Sequence, residues 1–139
     1  METLEQRCSL LTWEKLTSRF GESTKAWKDH REAEKYLGAL KKTPARIHNS
    51  GLGQALAFLR SRPEPAANLA GQDLSELTLR LLGIDNKDDL LALLRANDSA
   101  FLFLATDETM RVIGWLARYL EGAGVKSKQA EGNEDGGNT

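Results

Sequence analysis

"NSGLGQALAFLRSRP", residues 49–63, sets two glycines one residue apart at the head of an apolar run and closes it with two arginines and a proline. Its reading decides the fold. A phosphate-cradling dinucleotide loop needs a strand before it and a third glycine after it, yet no strand pattern precedes this stretch and the third position is Leu56. No Gly-Lys-Ser/Thr follows, so it is not a Walker loop. What remains is a turn that feeds a buried helix. Gly51 supplies a positive φ, Gly53 permits close approach of two helices, and Leu52, Ala55, Leu56 and Leu59 face inward from about Leu52 to Arg60. "RPEP" then ends that helix.

Outward from this stretch no segment shows sustained period-2 alternation, and Val and Ile are scarce beside Leu and Ala. The chain therefore reads as all-α, a compact single-domain bundle of about five to seven helices, with residues 1–122 as the domain and 123–139 as a disordered tail. The first helix is expected from about Thr3 to Phe20, with two apolar stripes. A second, capped by Ser23 or Thr24, is expected to reach about Lys42, with Ala26, His30, Ala33, Leu37 and Leu40 on one face and Lys28, Arg31, Lys35 and Lys42 on the other. Thr43-Pro44 reads as an N-cap and first helical position of a short turn through Ile47. Further helices are expected over about Asp73–Leu82, after a cap at Asp85 or Asn86, and over about Ser99–Glu121, the last either single or broken near Thr106.

Length, at 139 residues, fits one core, and 40% hydrophobic with 28% charged residues is a globular composition. The longest apolar stretch, Ala100 to Ala105, is far short of the roughly 20 residues that cross a bilayer. "METLEQRCSLLTWEKL" carries no address signal, and Cys8 alone makes no internal disulfide, so a cytoplasmic setting is expected, with Cys8 as a small core residue.

Catalytic chemistry finds little footing. One Cys and two His fall short of a zinc site, no cofactor motif survives, and the Asp85-x-Lys87-x-Asp89 run has Leu90 where a calcium loop turns on glycine. His30 and His48 could act as the acid and base of a metal-free ribonuclease, but structural histidines explain them as well. No enzyme, cofactor or metal is expected.

Charge segregation is more informative than the net charge of -1. Residues 23–62 hold nine Lys/Arg against three acids (+6), and residues 63–110 hold three against nine (-6). Such a chain can present one basic face to a polyanion while staying neutral overall. Lys28, Arg31, Lys35 and Lys42 would form that face, with Arg46, Arg60 and Arg62 close in sequence and Arg111 and Arg118 flanking Trp115 further on. Phosphate neutralisation needs little more, though a charge stripe is also an ordinary solvated face and Trp115 is core before it is a stacking platform. A helical adaptor that offers its basic face to an acidic protein remains open.

Two segments resemble a known family, the small subunit of the CRISPR type III-B effector, the Cmr complex. "KYLGALKKTPARIHNSGLGQALAFLRSR", residues 35–62, is similar to the family's basic helix, proline, Ile and Asn-x-Gly-Leu before an Ala-Phe-Leu helix. "TDETMRVIGWLARYLEGA", residues 106–123, is similar to its Thr-x-Glu, Trp-Leu and following basic residue, with Ala117-Arg118 where the family often has Lys-Arg. The resemblance implies a non-catalytic, all-helical subunit in antiviral defence that stacks with copies of itself beside the guide-RNA filament and helps hold target RNA. Carried over by position, Lys35, Lys42, Arg46, Arg60 and Arg62 fall in the first segment and Arg111 and Arg118 in the second. Lys28 and Arg31 rest on the helical face alone. The acidic middle is then expected to meet basic neighbours.

Overall fold

The computed structural model describes residues 2–85 and 88–127. Among these the chain forms seven helices and no strand: α1 (Leu4–Phe20), α2 (Thr24–Trp27), α3 (Arg31–Ser50), α4 (Leu52–Ser61), α5 (Pro65–Leu81), α6 (Leu90–Ala96) and α7 (Ser99–Gly122). The all-α expectation holds. α5 sits at the centre, in contact with α1, α3, α4, α6 and α7, so its long side chains are surrounded and Leu74 and Leu77 are fully buried.

α1 begins where its chemistry dictates. The Thr3 hydroxyl accepts the Gln6 amide at 3.0 Å while the Gln6 side chain accepts the Thr3 amide at 2.8 Å, which satisfies two end donors reciprocally. Cys8, Leu11, Leu16 and Phe20 then face inward. Burial, followed by the nearby Glu5 charge, pushes the Cys8 thiol up to about 12. Cys8 is thus a core residue without nucleophilic character at neutral pH.

The expected helix from Thr24 to Lys42 is two helices. Trp27 enters the core, its indole donating to the Gly21 carbonyl at 2.7 Å, and the chain turns through Lys28 and Asp29. His30 restarts it as the α3 N-cap, its Nδ1 accepting the Ala33 amide at 3.3 Å. The heptad-like spacing from Ala26 to Leu40 concealed this break, because a tryptophan anchor outweighs helix continuity over four residues. Ala26, expected inward, is exposed.

The expected new start at Thr43-Pro44 is also absent. Pro44 lies inside α3, where it removes one backbone bond at a cost of up to about 3 kcal/mol. Burial on either side carries the helix through: Leu40, Thr43 and Ile47 are all in the core, and the Thr43 hydroxyl donates to the Ala39 carbonyl at 2.8 Å. α3 ends instead at Gly51, at φ +88 and ψ 161, a region that side chains avoid. The same residue is the N-cap of α4, so one glycine separates the two helices.

Gly53 does not serve the close approach expected of it, since a Cβ there would meet nothing within 4 Å. That role belongs to Gly71 on α5, where a Cβ would fall 2.9 Å from both Leu59 Cβ and Arg60 Cγ. α5 accordingly starts at Pro65 and not near Asp73, because proline suits the first helical position and Ala66 and Ala70 are small enough to bury. α6 is capped by Asp89, with Asp85 outside any helix and Asn86 outside the described residues. α7 is unbroken, and the Thr106 hydroxyl donates to the Leu102 carbonyl at 2.7 Å. The packed chain extends beyond Gly122: Gly124 takes φ +94, and the amide of the buried Val125 donates to the Leu120 carbonyl at 3.0 Å. Of the tail expected over 123–139, residues 128–139 lie outside the described residues.

Candidate nucleic-acid interface

α3 supplies the core of the basic surface. At 3.6 residues per turn Arg31, Lys35, Lys42 and Arg46 fall within about 60° of one another, because their spacings are four, seven and four. Arg31 is exposed, and Lys35, Lys42 and Arg46 are half-buried. None of the four has a carboxylate within ion-pair reach among the described residues. Their opposite helix face, with Ala33, Leu37 and Leu40, is fully buried, which fixes the rotation of α3 and therefore the direction of the row.

A buried ionic cluster fixes the depth of α3 as well. Asp73 on α5, 1% exposed, accepts Arg19 Nε at 3.0 Å, Arg19 Nη2 at 2.7 Å and the Tyr36 hydroxyl at 2.8 Å. Lys15 stands 3.8 Å away and pairs with Glu76 at 2.9 Å. Burial first, and then the Asp73 charge, hold the Tyr36 phenol well above its ordinary range, so it stays a donor. One carboxylate thereby ties α1, α3 and α5 together.

The other expected contacts divide into three kinds. Lys28 has left the α3 row: it is exposed at the end of α2, its aliphatic stem 3.2 Å from where a Cβ of Gly124 would stand. Arg60, Arg62 and Arg111 each hold a carboxylate of the same chain. Arg60 meets Asp89 at 2.8 Å, Arg62 grips Glu64 through two bonds of 3.0 Å, and Arg111 pairs with Glu5 and, at 3.1 Å, with Glu108. The pairs with Asp89, Glu64 and Glu5 are open to solvent and contribute only about 0–1 kcal/mol, so a phosphate can displace them, whereas Glu108 is buried and stays with Arg111. All of them lower the local positive charge meanwhile. Arg118 is exposed and lines an open groove of about 630 Å³ between α1 and α7. Glu5 and Asp107 line the same groove, which makes it mixed in charge and a poorer match to a polyanion than the α3 row.

Trp115 is half-buried against Tyr119, with ring centroids 5.5 Å apart, and its indole donates to Glu5 at 2.8 Å. Its edge is engaged within the chain. The ring that does meet arginines is Phe58, which went unremarked in sequence. The Arg46 guanidinium lies over it at 3.7 Å and that of Arg62 at 5.1 Å. The i, i+4 spacing of Phe58 and Arg62 was visible; the arrival of Arg46 from α3 depends on the α3–α4 angle.

Catalytic candidates come apart. His30 and His48 are separated by 18 positions along α3, about 27 Å, too far to act on one phosphodiester. His30 is also committed to its cap and packs edge-on to Phe20 at 4.9 Å. No cluster of three or more His, Cys, Asp or Glu able to hold a metal occurs among the described residues, and no helix among them is long and apolar enough to cross a membrane.

The family model described as "CRISPR-associated protein (Cas_Cmr5)" matches residues 6–123. The chain is also similar to the X-ray crystal structure of a CRISPR-associated Cmr5 family protein from Thermus thermophilus, at a TM-score of 0.63 and 22% identity, covering 88% of this chain and 98% of that one. At that identity the structural likeness supports the fold.

Proposed function

Since the chain belongs to the Cmr5 family of CRISPR-associated proteins, and so is a small subunit of a type III-B Cmr complex, we propose that it is a non-catalytic scaffold of that complex that holds RNA on α3. The observation that carries this reading is the row Arg31, Lys35, Lys42 and Arg46: four cations in one sector of one helix, each without an ion pair among the described residues. A phosphate backbone gains most where charges are already aligned and unpaid by internal partners. Sequence preference is left to base pairing with a guide, and this surface reads the backbone.

The test is target-RNA binding by the assembled complex with Arg31, Lys35 and Lys42 all changed to Glu. Each lost phosphate contact removes about 0.7 from the slope of log affinity against log salt for a single strand, so the slope falls by about 2. An unchanged affinity and slope would withdraw RNA from this face and leave the protein adaptor in its place.

Contacts with neighbouring subunits, copies of itself included, are assigned to the first half of α7. Phe103 is 67% exposed and Leu104 50%, with Asp98 and Asp107 beside them in sequence. An apolar run rimmed by acids suits a partner with an apolar and basic surface. Phe103→Asp is expected to reduce incorporation into the complex while leaving the thermal midpoint of the free chain unchanged; full incorporation would reject the assignment. Reversal of Asp89, by contrast, would be a poor probe of assembly, because it also uncaps α6 and releases Arg60.

A further inference from the structure

Arg46 and Arg62 approach the Phe58 ring from different elements, and only one of them has a counter-ion. Glu64 takes both Nε and Nη2 of Arg62, whereas Arg46 has no ion pair among the described residues. Burial, and then the neighbouring Arg62 charge, pull Arg46 below the ordinary arginine range. The result is a cation already partly stripped of water and held at stacking distance, 3.7 Å, above a half-buried ring.

A guanidinium laid on a ring is a flat ledge. With Arg46 Cζ 3.7 Å from the Phe58 centroid, the side chain half-buried and no ion pair to it among the described residues, a second planar group can lie on its outer side while its N–H donors meet an anion. An unpaired nucleotide brings both parts, a base with an open face and a phosphate one sugar away. Paired bases within a duplex have both faces stacked and cannot use the ledge.

We infer that Arg46, Phe58 and Arg62 form a stacking site for one unpaired nucleotide of single-stranded RNA, with Glu64 as the displaceable counter-ion of Arg62. This rests on the RNA-binding reading above and adds a base-dependent contribution, made through Arg46, that Arg31, Lys35 and Lys42 do not supply. Glu64 occupies the N-cap position of α5 yet makes no side-chain cap bond, so its carboxylate is not needed to start that helix.

The experiment compares an oligouridylate with an abasic oligonucleotide of the same length, both fluorescently labelled, bound to the purified full chain across a salt series. The base-bearing strand binds about tenfold tighter, within the range that base stacking on an aromatic platform contributes. Arg46→Lys retains the charge and the salt slope but loses the tenfold difference. Glu64→Gln tightens both strands and steepens the slope by about 0.7, as one more phosphate contact is freed. Phe58→Leu also removes the difference; if it impairs folding, the surface substitution at Arg46 decides alone. Equal binding of the two strands by the unaltered chain, or a difference that survives Arg46→Lys, overturns the stacking site and leaves the α3 reading intact. Binding of neither strand at low salt overturns both.

Discussion

Removal of the Asp73 carboxylate is the sharpest test of how α3 is held. Asp73→Ala deletes two charge-assisted bonds to Arg19 and the only acceptor of the Tyr36 hydroxyl among the described contacts. Arg19 and Lys15 retain 29% and 17% of their side-chain exposure and can rehydrate, so the lost guanidinium bonds are set at about 2 kcal/mol, below the full value for a buried pair. Tyr36 is fully buried and cannot rehydrate, which adds about 1–2 kcal/mol for its orphaned hydroxyl. The sum, about 3–4 kcal/mol, lies inside the range for breaking a buried ion pair. For 139 residues the unfolding entropy converts 1 kcal/mol into about 3.5 °C, so the melting midpoint should fall by about 10–14 °C in calorimetry at pH 7. Arg19→Ala should cost at least as much, because it strands the carboxylate in a site with 1% exposure, while Tyr36→Phe should cost only about 1 kcal/mol. Replacing both charges with apolar residues, as Arg19→Met with Asp73→Leu, should recover most of the loss. A fall of less than about 3 °C for Asp73→Ala, or equal falls for Asp73→Ala and Tyr36→Phe, would refute the claim that this cluster ties three helices.

Alkaline stability should depend on Cys8. Its folded pKa, about 12, exceeds the reference 9.0, so the thiol favours folding below pH 9 and that advantage is lost as pH rises, by about 1.4 kcal/mol at pH 10. Urea midpoints between pH 8 and 10 should therefore fall less steeply in Cys8→Ala; parallel slopes would contradict the assignment. Gly71→Ala should lower stability by about 1–3 kcal/mol, because its methyl would overlap Leu59 and Arg60, whereas Gly53→Ala should be neutral or stabilise by up to about 0.5 kcal/mol. Thermal melts of the pair decide the matter, and equal effects would show that α4 and α5 are not in the contact described.

What could be read ahead of the structure followed from local chemistry. Gly51 as a turn glycine, the inward residues Leu52, Ala55, Leu56 and Leu59, and the apolar face of α3 all came from spacing that no tertiary contact overrides. Failures gathered where a distant partner outweighed local preference. Trp27 broke a helix to reach Gly21, and Pro44 was retained inside one because Leu40 and Ile47 are buried on either side. The basic candidates show the same division. Arg31, Lys35 and Lys42 were legible as one helix face from periodicity, whereas Lys28 left that face at the break after Trp27 and Arg46 joins it only because α3 runs on through Pro44. Asp89 and Glu5 reach Arg60 and Arg111 from 29 and 106 positions away. No window of sequence contains such pairs.

Gly51 has a mechanical consequence beyond its dihedral angles. As the single residue between α3 and α4 it is a joint with one pair of hinges and no slack, and α4 is a rigid arm of about 15 Å swinging from it. An angular error of about 10° at the joint displaces Phe58, about 10 Å along the arm, by about 1.8 Å, roughly half the 3.7 Å that separates the Arg46 guanidinium on α3 from the ring centroid. Alignment between the two helices is therefore a tolerance held by one glycine, and a side chain at that position would misalign parts that are each intact.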